Sequence, residues 1–347
     1  MKRNLKFPRI LMLILIIIIF SGCVRQSVLQ NTDNAKFIAI PLGTKGGLIE
    51  ADLSSYLLAP YGDPNFIVLD AGTLMTGLQQ TAKLGSLQKI NIHADSLLSP
   101  EGVMLRDHIK AYAISHAHLD HVAGLVINSP DDSSKPILGL PSTIDNIRDH
   151  LFNWKIWPNF GNEGDGFQLK KYRYIRLLPG EKFKIENTMM TIIPFELSHS
   201  GGYISTAFLV ESGDKYMLYF GDCGPDVVEK SDKMQQVWTA VAPLVQEKKL
   251  HGMFLECSFS NDHPDEKLFG HLTPKWMMQE LRTLSKLVDP NQPEIALTDL
   301  KVVVTHIKPS LKKDVDPSSK IMNELSRLND LGIEFILPES GKIIYFD

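Results

Sequence analysis

The chain has 347 residues, 44% hydrophobic and 22% charged, so it can bury a large core as one large domain or two small ones. Its formal charge of −4 excludes a nucleic-acid binder that works through a broadly basic surface, while a small anionic substrate in a local pocket is easily reconciled with it. Three cysteines, Cys23, Cys223 and Cys257, are too few for a disulfide scaffold.

At the N-terminus Lys2, Arg3, Lys6 and Arg9 precede the apolar run Ile10 to Phe20, and Ser21-Gly22-Cys23 follows. A basic start, an apolar stretch of this length and small residues at a cleavage point make an export signal, and the run is short for a membrane span. The segment resembles a bacterial lipoprotein signal. That resemblance implies removal of residues 1–22, lipidation of Cys23 and a cell-envelope or periplasmic protein anchored to a membrane. Phe20 departs from the Leu usual at that place, and ordinary secretion or an uncleaved anchor are the alternatives. Residues 23–36 carry little apolar content and read as a tether, leaving 37–347 as one domain.

Phe37-Ile-Ala-Ile40 and Phe66-Ile-Val-Leu69 read as strands on either side of a loop at Gly43 to Gly47, with Asp70-Ala-Gly72 closing the second. Asp70 is either a turn former or a group that orients a neighbouring site through hydrogen bonds. Ala111-Tyr-Ala-Ile114 is a further short buried strand, and Ser142 to Trp157 reads as a helix. Trp154, Trp157, Phe160, Phe167, Tyr172 and Tyr174 follow closely; core packing is the default for such aromatics, and stacking on a purine base is the functional alternative. Strands are expected over Met189 to Pro194, Ser205 to Val210 and Tyr216 to Phe220. Cys223 and Cys257 each sit beside a carboxylate, Asp222 and Glu256, and read as two small buried thiols, or as a bridge in an oxidising compartment.

The most informative segment is His116-Ala-His118-Leu-Asp120-His121. Three imidazoles and a carboxylate fall within six residues directly after a strand, where loops display chemistry. Neutral imidazole and carboxylate suit zinc, manganese or iron, and alternate residues of an extended segment point the same way. This is a metal-site pattern.

The segment resembles the His-x-His-x-Asp-His motif of the metallo-β-lactamase fold. Its tail, His118-Leu-Asp-His-Val-Ala-Gly-Leu-Val-Ile-Asn-Ser-Pro130, is similar to the class II 3′,5′-cyclic-nucleotide phosphodiesterases. Further motifs arrive in the order of that family: Phe195-Glu-Leu-Ser-His199-Ser-Gly201, Tyr219-Phe-Gly221-Asp222-Cys-Gly224 and Val302-Val-Val-Thr-His306. The resemblance implies an α/β fold, an αββα sandwich with two facing mixed sheets and metals at one sheet edge. It implies that His116, His118 and His199 hold one ion, that Asp120, His121 and His306 hold a second, and that Asp222 bridges them. Two divalent ions, zinc foremost with manganese or iron as alternatives, account for seven candidate ligands better than one tetrahedral site does.

Phe254-Leu-Glu256-Cys-Ser-Phe259 and Gly270-His271-Leu-Thr-Pro274 resemble the paired Glu and Gly-His segments of phosphodiesterase members. His271 is thereby a general acid supported by Glu256, and Asp120 is counted with them among the catalytic groups as well as among the ligands. The reaction implied is hydrolysis of a 3′,5′-cyclic nucleotide, cyclic AMP foremost, to a 5′-monophosphate by a metal-bridging hydroxide. Rivals are another hydrolase of the fold (an RNA 3′-processing nuclease, a lactonase, a thioesterase or a β-lactamase) and a non-catalytic lipoprotein that captures a ligand through its metals.

Overall fold

Strands covered on both faces read as unbroken apolar runs, and this chain builds its sheets from such runs. The computed structural model describes residues 34–95 and 97–347; the basic segment, the apolar run, Cys23 and the tether up to residue 33 lie outside the described residues. Among the described residues there are fourteen strands: β1 (Phe37–Gly43), β2 (Ser55–Pro60), β3 (Phe66–Ala71), β4 (Ile109–Ala113), β5 (Lys135–Gly139), β6 (Tyr172–Arg176), β7 (Phe183–Lys184), β8 (Thr191–Ser198), β9 (Ile204–Ser212), β10 (Lys215–Phe220), β11 (Leu250–Glu256), β12 (Lys301–Thr305), β13 (Glu334–Ile336) and β14 (Ile344–Phe346). They form two seven-stranded mixed sheets, ordered β14-β1-β2-β3-β4-β5-β6 and β13-β12-β11-β10-β9-β8-β7.

The period-2 alternation of side chains sorts each strand between two apolar layers. In β12, Val303 faces the layer between the sheets, whereas Val302 and Val304 face the helices outside. Ile67 and Leu69 of β3 likewise point inward, with Phe66 and Val68 outward. Phe37, Tyr56, Phe208, Tyr219, Phe254 and Phe346 fill the middle layer. The helix Lys233–Gln246 and the helix Pro274–Val288 pack outside the second sheet, and the helix Met75–Lys83 and the helix Leu119–Asn128 outside the first. The result is the expected αββα sandwich.

Strands β3 to β6 run parallel, as do β10 to β13. Their carboxyl ends lie at one end of the sandwich, the position where open α/β sheets place ligand crevices. Asp70 lies in β3, His116 follows β4, His199 follows β8, Asp222 follows β10, Glu256 ends β11 and His306 follows β12.

Two expectations need correction. The stretch between Gly43 and Phe66 contains β2, an edge-to-edge partner of both β1 and β3 that the apolar pattern alone did not reveal. The helix expected over 142–157 is α-helical only at Pro141–Asn146, followed by a wide turn to Leu151. Asn153 ends it, because its Oδ1 accepts from the backbone N–H groups of Lys155 and Ile156 in competition with the helix. Trp154 then takes a left-handed φ of 63°.

Phe254 is fully buried, with ring centroids 5.2 Å from Tyr56, 5.9 Å from Tyr219 and 5.8 Å from Phe346. Phe254→Ala should therefore destabilise the fold by about 3–5 kcal/mol, read from the chemical-denaturation midpoint at unchanged slope. A cost below about 1 kcal/mol would mean that the layer between the sheets is loosely packed.

Candidate active site

Four imidazoles from three segments of the chain approach one carboxylate oxygen through Nε2. Asp222 Oδ2 lies 3.2 Å from His306 Nε2, 3.3 Å from His121 Nε2, 3.8 Å from His116 Nε2 and 3.9 Å from His199 Nε2. Asp120 adds a second carboxylate, with Oδ2 3.2 Å from His306 Nε2 and Oδ1 4.0 Å from His121 Nε2. His118, the exposed member, approaches with Nδ1 at 3.0 Å from His116 Nε2 and 3.3 Å from His199 Nε2. All seven sequence-predicted ligands meet here, in two adjoining groups: His116, His118 and His199, and Asp120, His121 and His306, with Asp222 between them.

The far nitrogen of each buried ring decides what the near one offers. His199 Nδ1 donates to the Gly270 carbonyl at 2.9 Å, and His121 Nδ1 donates to Asp70 Oδ2 at 2.8 Å. Ser115 Oγ gives its hydrogen to Asp70 Oδ2 (2.7 Å) and so accepts from His116 Nδ1 at 3.0 Å. Ser258 Oγ gives its hydrogen to Glu256 Oε2 (3.0 Å) and accepts from His306 Nδ1 at 2.9 Å. With every Nδ1 committed outward, four Nε2 atoms face inward toward the two carboxylates, and their lone pairs repel the carboxylates unless positive charge, a proton or a bound ion, lies between.

Asp70 collects these constraints. Its carboxylate also accepts from Ser115 N and Tyr219 OH, both at 2.7 Å, and its backbone sits at a left-handed φ of 53°. His306 is similarly placed at φ 58°; an uncommon conformation for both residues, it lets their side chains turn back over the strand ends. Gly270 must be glycine, since a Cβ there would stand 2.3 Å from Ser200 N and 2.6 Å from His199 Nδ1. Ser115, Tyr219 and Ser258 escaped the sequence reading. Ser115 and Ser258 lie next to, or two residues from, motif positions, which is the only signal that could have flagged them.

Beside this group, His271 Nδ1 lies 3.0 Å from Glu256 Oε1, and the same oxygen accepts from Leu272 N and Cys223 N. His271 Nδ1 is also 3.9 Å from Asp222 Oδ2, so the predicted acid pair adjoins the cluster directly. Cys223 and Cys257 are both buried and unpaired, and burial pushes both thiols well above their ordinary range.

The comparisons agree with this geometry. A family described as cAMP phosphodiesterases class-II matches residues 31–341. The chain belongs to this family. A 3′,5′-cyclic-nucleotide phosphodiesterase of Aliivibrio fischeri is 44% identical over 316 residues, which cover 91% of this chain and 94% of that protein. The structure of unliganded yeast PDE1 superposes with a TM-score of 0.78 at 26% identity, covering 90% of this chain and 99% of that one. The metallo-β-lactamase fold protein YhfI of Bacillus subtilis matches at TM-score 0.57 and 16% identity, covering 89% and 99%, a likeness of fold.

In this class-II family member the cluster has the character of a cation site. Asp222 Oδ1 and His121 Nε2 are buried without a hydrogen-bond partner among the described residues, polar atoms that a bound ion would satisfy. Burial holds the pKa of His116, His199 and His306 below the usual imidazole range, so these rings are neutral and free to ligate near pH 7. Burial opposes charge on Asp222 as well, and positive charge on the facing His306 and His121 imidazoles, or a cation in its place, holds the carboxyl well below the usual carboxylate range. His121 goes the other way: despite burial, contact with Asp222 and Asp70 lifts it well above its ordinary value, so a proton stands where a cation would. The donor set fits divalent ions.

Ser258→Ala would leave His306 Nδ1 without its acceptor. The expected outcome is a loss of divalent-ion affinity of about 10–100-fold in competition with a chromophoric chelator, with an unaltered circular-dichroism spectrum. Unchanged affinity would show that Ser258 does not orient His306.

Proposed function

We propose that this chain, a phosphodiesterase of the class-II family, hydrolyses 3′,5′-cyclic nucleotides, cyclic AMP foremost, to nucleoside 5′-monophosphates at a centre that holds two divalent ions. The observation that carries the reading is the pair of adjoining ligand groups joined at Asp222, with the Glu256–His271 pair against them. His116, His118 and His199 would hold one ion, and Asp120, His121 and His306 the other, with Asp222 shared. Nitrogen and carboxylate donors without thiolate suit zinc, and manganese or iron are the alternatives. Bound there, the ions supply positive charge for the phosphate oxygens and bring the pKa of a water toward about 7.

The rest of the chemistry belongs to the chain. Attack of the water oxygen on phosphorus forms one P–O bond and breaks the bond to the 3′ oxygen, which must take up a proton as it leaves. Glu256 and His271 supply it. Burial raises the Glu256 carboxyl to about 7, with Asp222 adding to the rise, and burial lowers His271 to about 4. Joined at 3.0 Å, the two groups hold one extra proton between them below about pH 7 and release it above. That is the poise a general acid needs at neutral pH.

The N-terminal residues extend the proposal. We read residues 1–22 as an export leader and Cys23 as a lipid attachment point, on the sequence pattern alone. Metabolic labelling with a fatty acid that persists in a Cys23→Ala variant would sink this part.

The purified, metal-loaded protein should convert cyclic AMP to 5′-AMP, and a chelator should abolish the reaction reversibly. Asp222→Asn should lose both metal occupancy and turnover. His271→Ala should retain metal and slow kcat by roughly 10²–10⁴-fold. Loss of metal from His271→Ala would reassign it as a ligand, and full turnover would remove it from the mechanism. Because the extra proton is lost as pH rises through about 7, kcat should fall above that pH, and Glu256→Gln should remove this limb from the profile. A profile identical to the parent's would exclude the pair as the acid.

A further inference from the structure

Along the flank of the centre runs a groove of about 680 Å³ that the mechanism above does not use. One wall is the helix Leu119–Asn128. At helical spacing Leu119, Ala123 and Ile127 form one ridge, and Asp120, Gly124 and Asn128 form the next. Opposite stand Leu48, in the loop after β1, and Met75, at the start of its own helix. Leu48, Leu119 and Ile127 are 52%, 67% and 65% exposed. Large apolar side chains gathered around one concavity mark a ligand surface rather than ordinary solvent-facing polypeptide.

The groove is continuous with the chemistry. Asp120 lies at one end of it, and Asn128, eight residues further along the same helix, lies about 12 Å away by helical rise, on the scale of a nucleotide from phosphorus to the far edge of its base. Two of its lining residues are glycines that let this helix pack closely on the end of β3: a Cβ at Gly72 would stand 2.1 Å from the Asp120 carbonyl, and one at Gly124 2.8 Å from that of Ala71. Asn128 Nδ2 donates to the Gly124 carbonyl at 2.8 Å, which leaves Oδ1 as an acceptor. The aromatic stretch considered for base stacking lies elsewhere. Phe160, Tyr172 and Tyr174 are buried in the core, Trp154 donates to the Phe167 carbonyl, and none of these residues lines the groove.

We propose that this groove seats the purine base of the cyclic nucleotide between Leu48 and the Leu119–Ala123–Ile127 ridge, and that Asn128 Oδ1 favours adenine over guanine. The acceptor meets the 6-amino group of adenine and faces the 6-oxo group of guanine, another acceptor. The assignment rests on the phosphodiesterase reading above.

The test compares cyclic AMP, cyclic GMP and ribose 3′,5′-cyclic phosphate, which lacks a base, on the metal-loaded full chain and its Ile127→Asp and Asn128→Ala variants. Calorimetric titration with adenosine runs alongside. Ile127→Asp should raise KM for cyclic AMP about tenfold or more, well beyond any change on the baseless substrate, and should weaken adenosine binding in parallel. Asn128→Ala should shift the kcat/KM ratio toward cyclic GMP by about fivefold or more, the scale of one lost hydrogen bond set against one removed repulsion. Equal losses on the base-bearing and baseless substrates, or adenosine binding unchanged by Ile127→Asp, would overturn the groove assignment. A parent protein that turns over none of the three cyclic phosphates would overturn the phosphodiesterase reading instead, and the adenosine titration would still decide the groove.

Discussion

Everything at the functional end of this molecule depends on one buried carboxylate oxygen. Asp222 Oδ2 has five imidazole nitrogens within 3.9 Å, and its partner oxygen has no hydrogen bond among the described residues. A charge in that position is costly unless it is matched, and inward lone pairs on the neutral His116, His199 and His306 rings do not match it. The arrangement makes physical sense as one half of an ion site whose other half is positive.

Holding it requires rigidity in the surrounding polypeptide. The carboxyl ends of parallel strands supply this, because each strand is pinned by ladders on both sides before its ligand begins. The second restraint is hydrogen bonding to the outward nitrogens. Asp70 ties His121 directly and His116 through Ser115, while Glu256 ties His306 through Ser258 and His271 directly. Glu256 therefore couples the proposed acid to the neighbouring ligand set, so a change in its protonation is felt by both. The left-handed backbone at Asp70 and His306 is a local strain that these contacts sustain.

Much of the fold and the ligand set was legible. Ligand chemistry is carried by residue type, and four of the seven candidate ligands, His116, His199, Asp222 and His306, lie just after apolar strands, with the other three close behind His116, so both identity and placement show in the chain. Errors fell where local and tertiary preferences compete. β2 carries an apolar run without diagnostic alternation, and it is a strand because β1 and β3 flank it. The expected 142–157 helix gave way to an Asn153 side chain that satisfies backbone donors itself. The aromatic cluster, a candidate for ligand contact by composition, is largely core.

The sequence by itself determined the αββα class through the family its motifs resemble, the apolar runs alone giving only alternating strands and helices, and it determined which imidazoles and carboxylates are available. Tertiary structure alone decided which nitrogen of each ring faces inward. That choice is made by hydroxyls and carbonyls far away along the chain, such as Ser258 for His306 and Gly270 for His199. It also decided that apolar residues of the loop after β1 and of the helix after the His cluster line one groove, because only the folded sheets bring Leu48 and Ile127 to one concavity. A ring's tautomer and a pocket's walls are properties of neighbours in space, and neighbours in space are what a linear pattern of residue types does not contain.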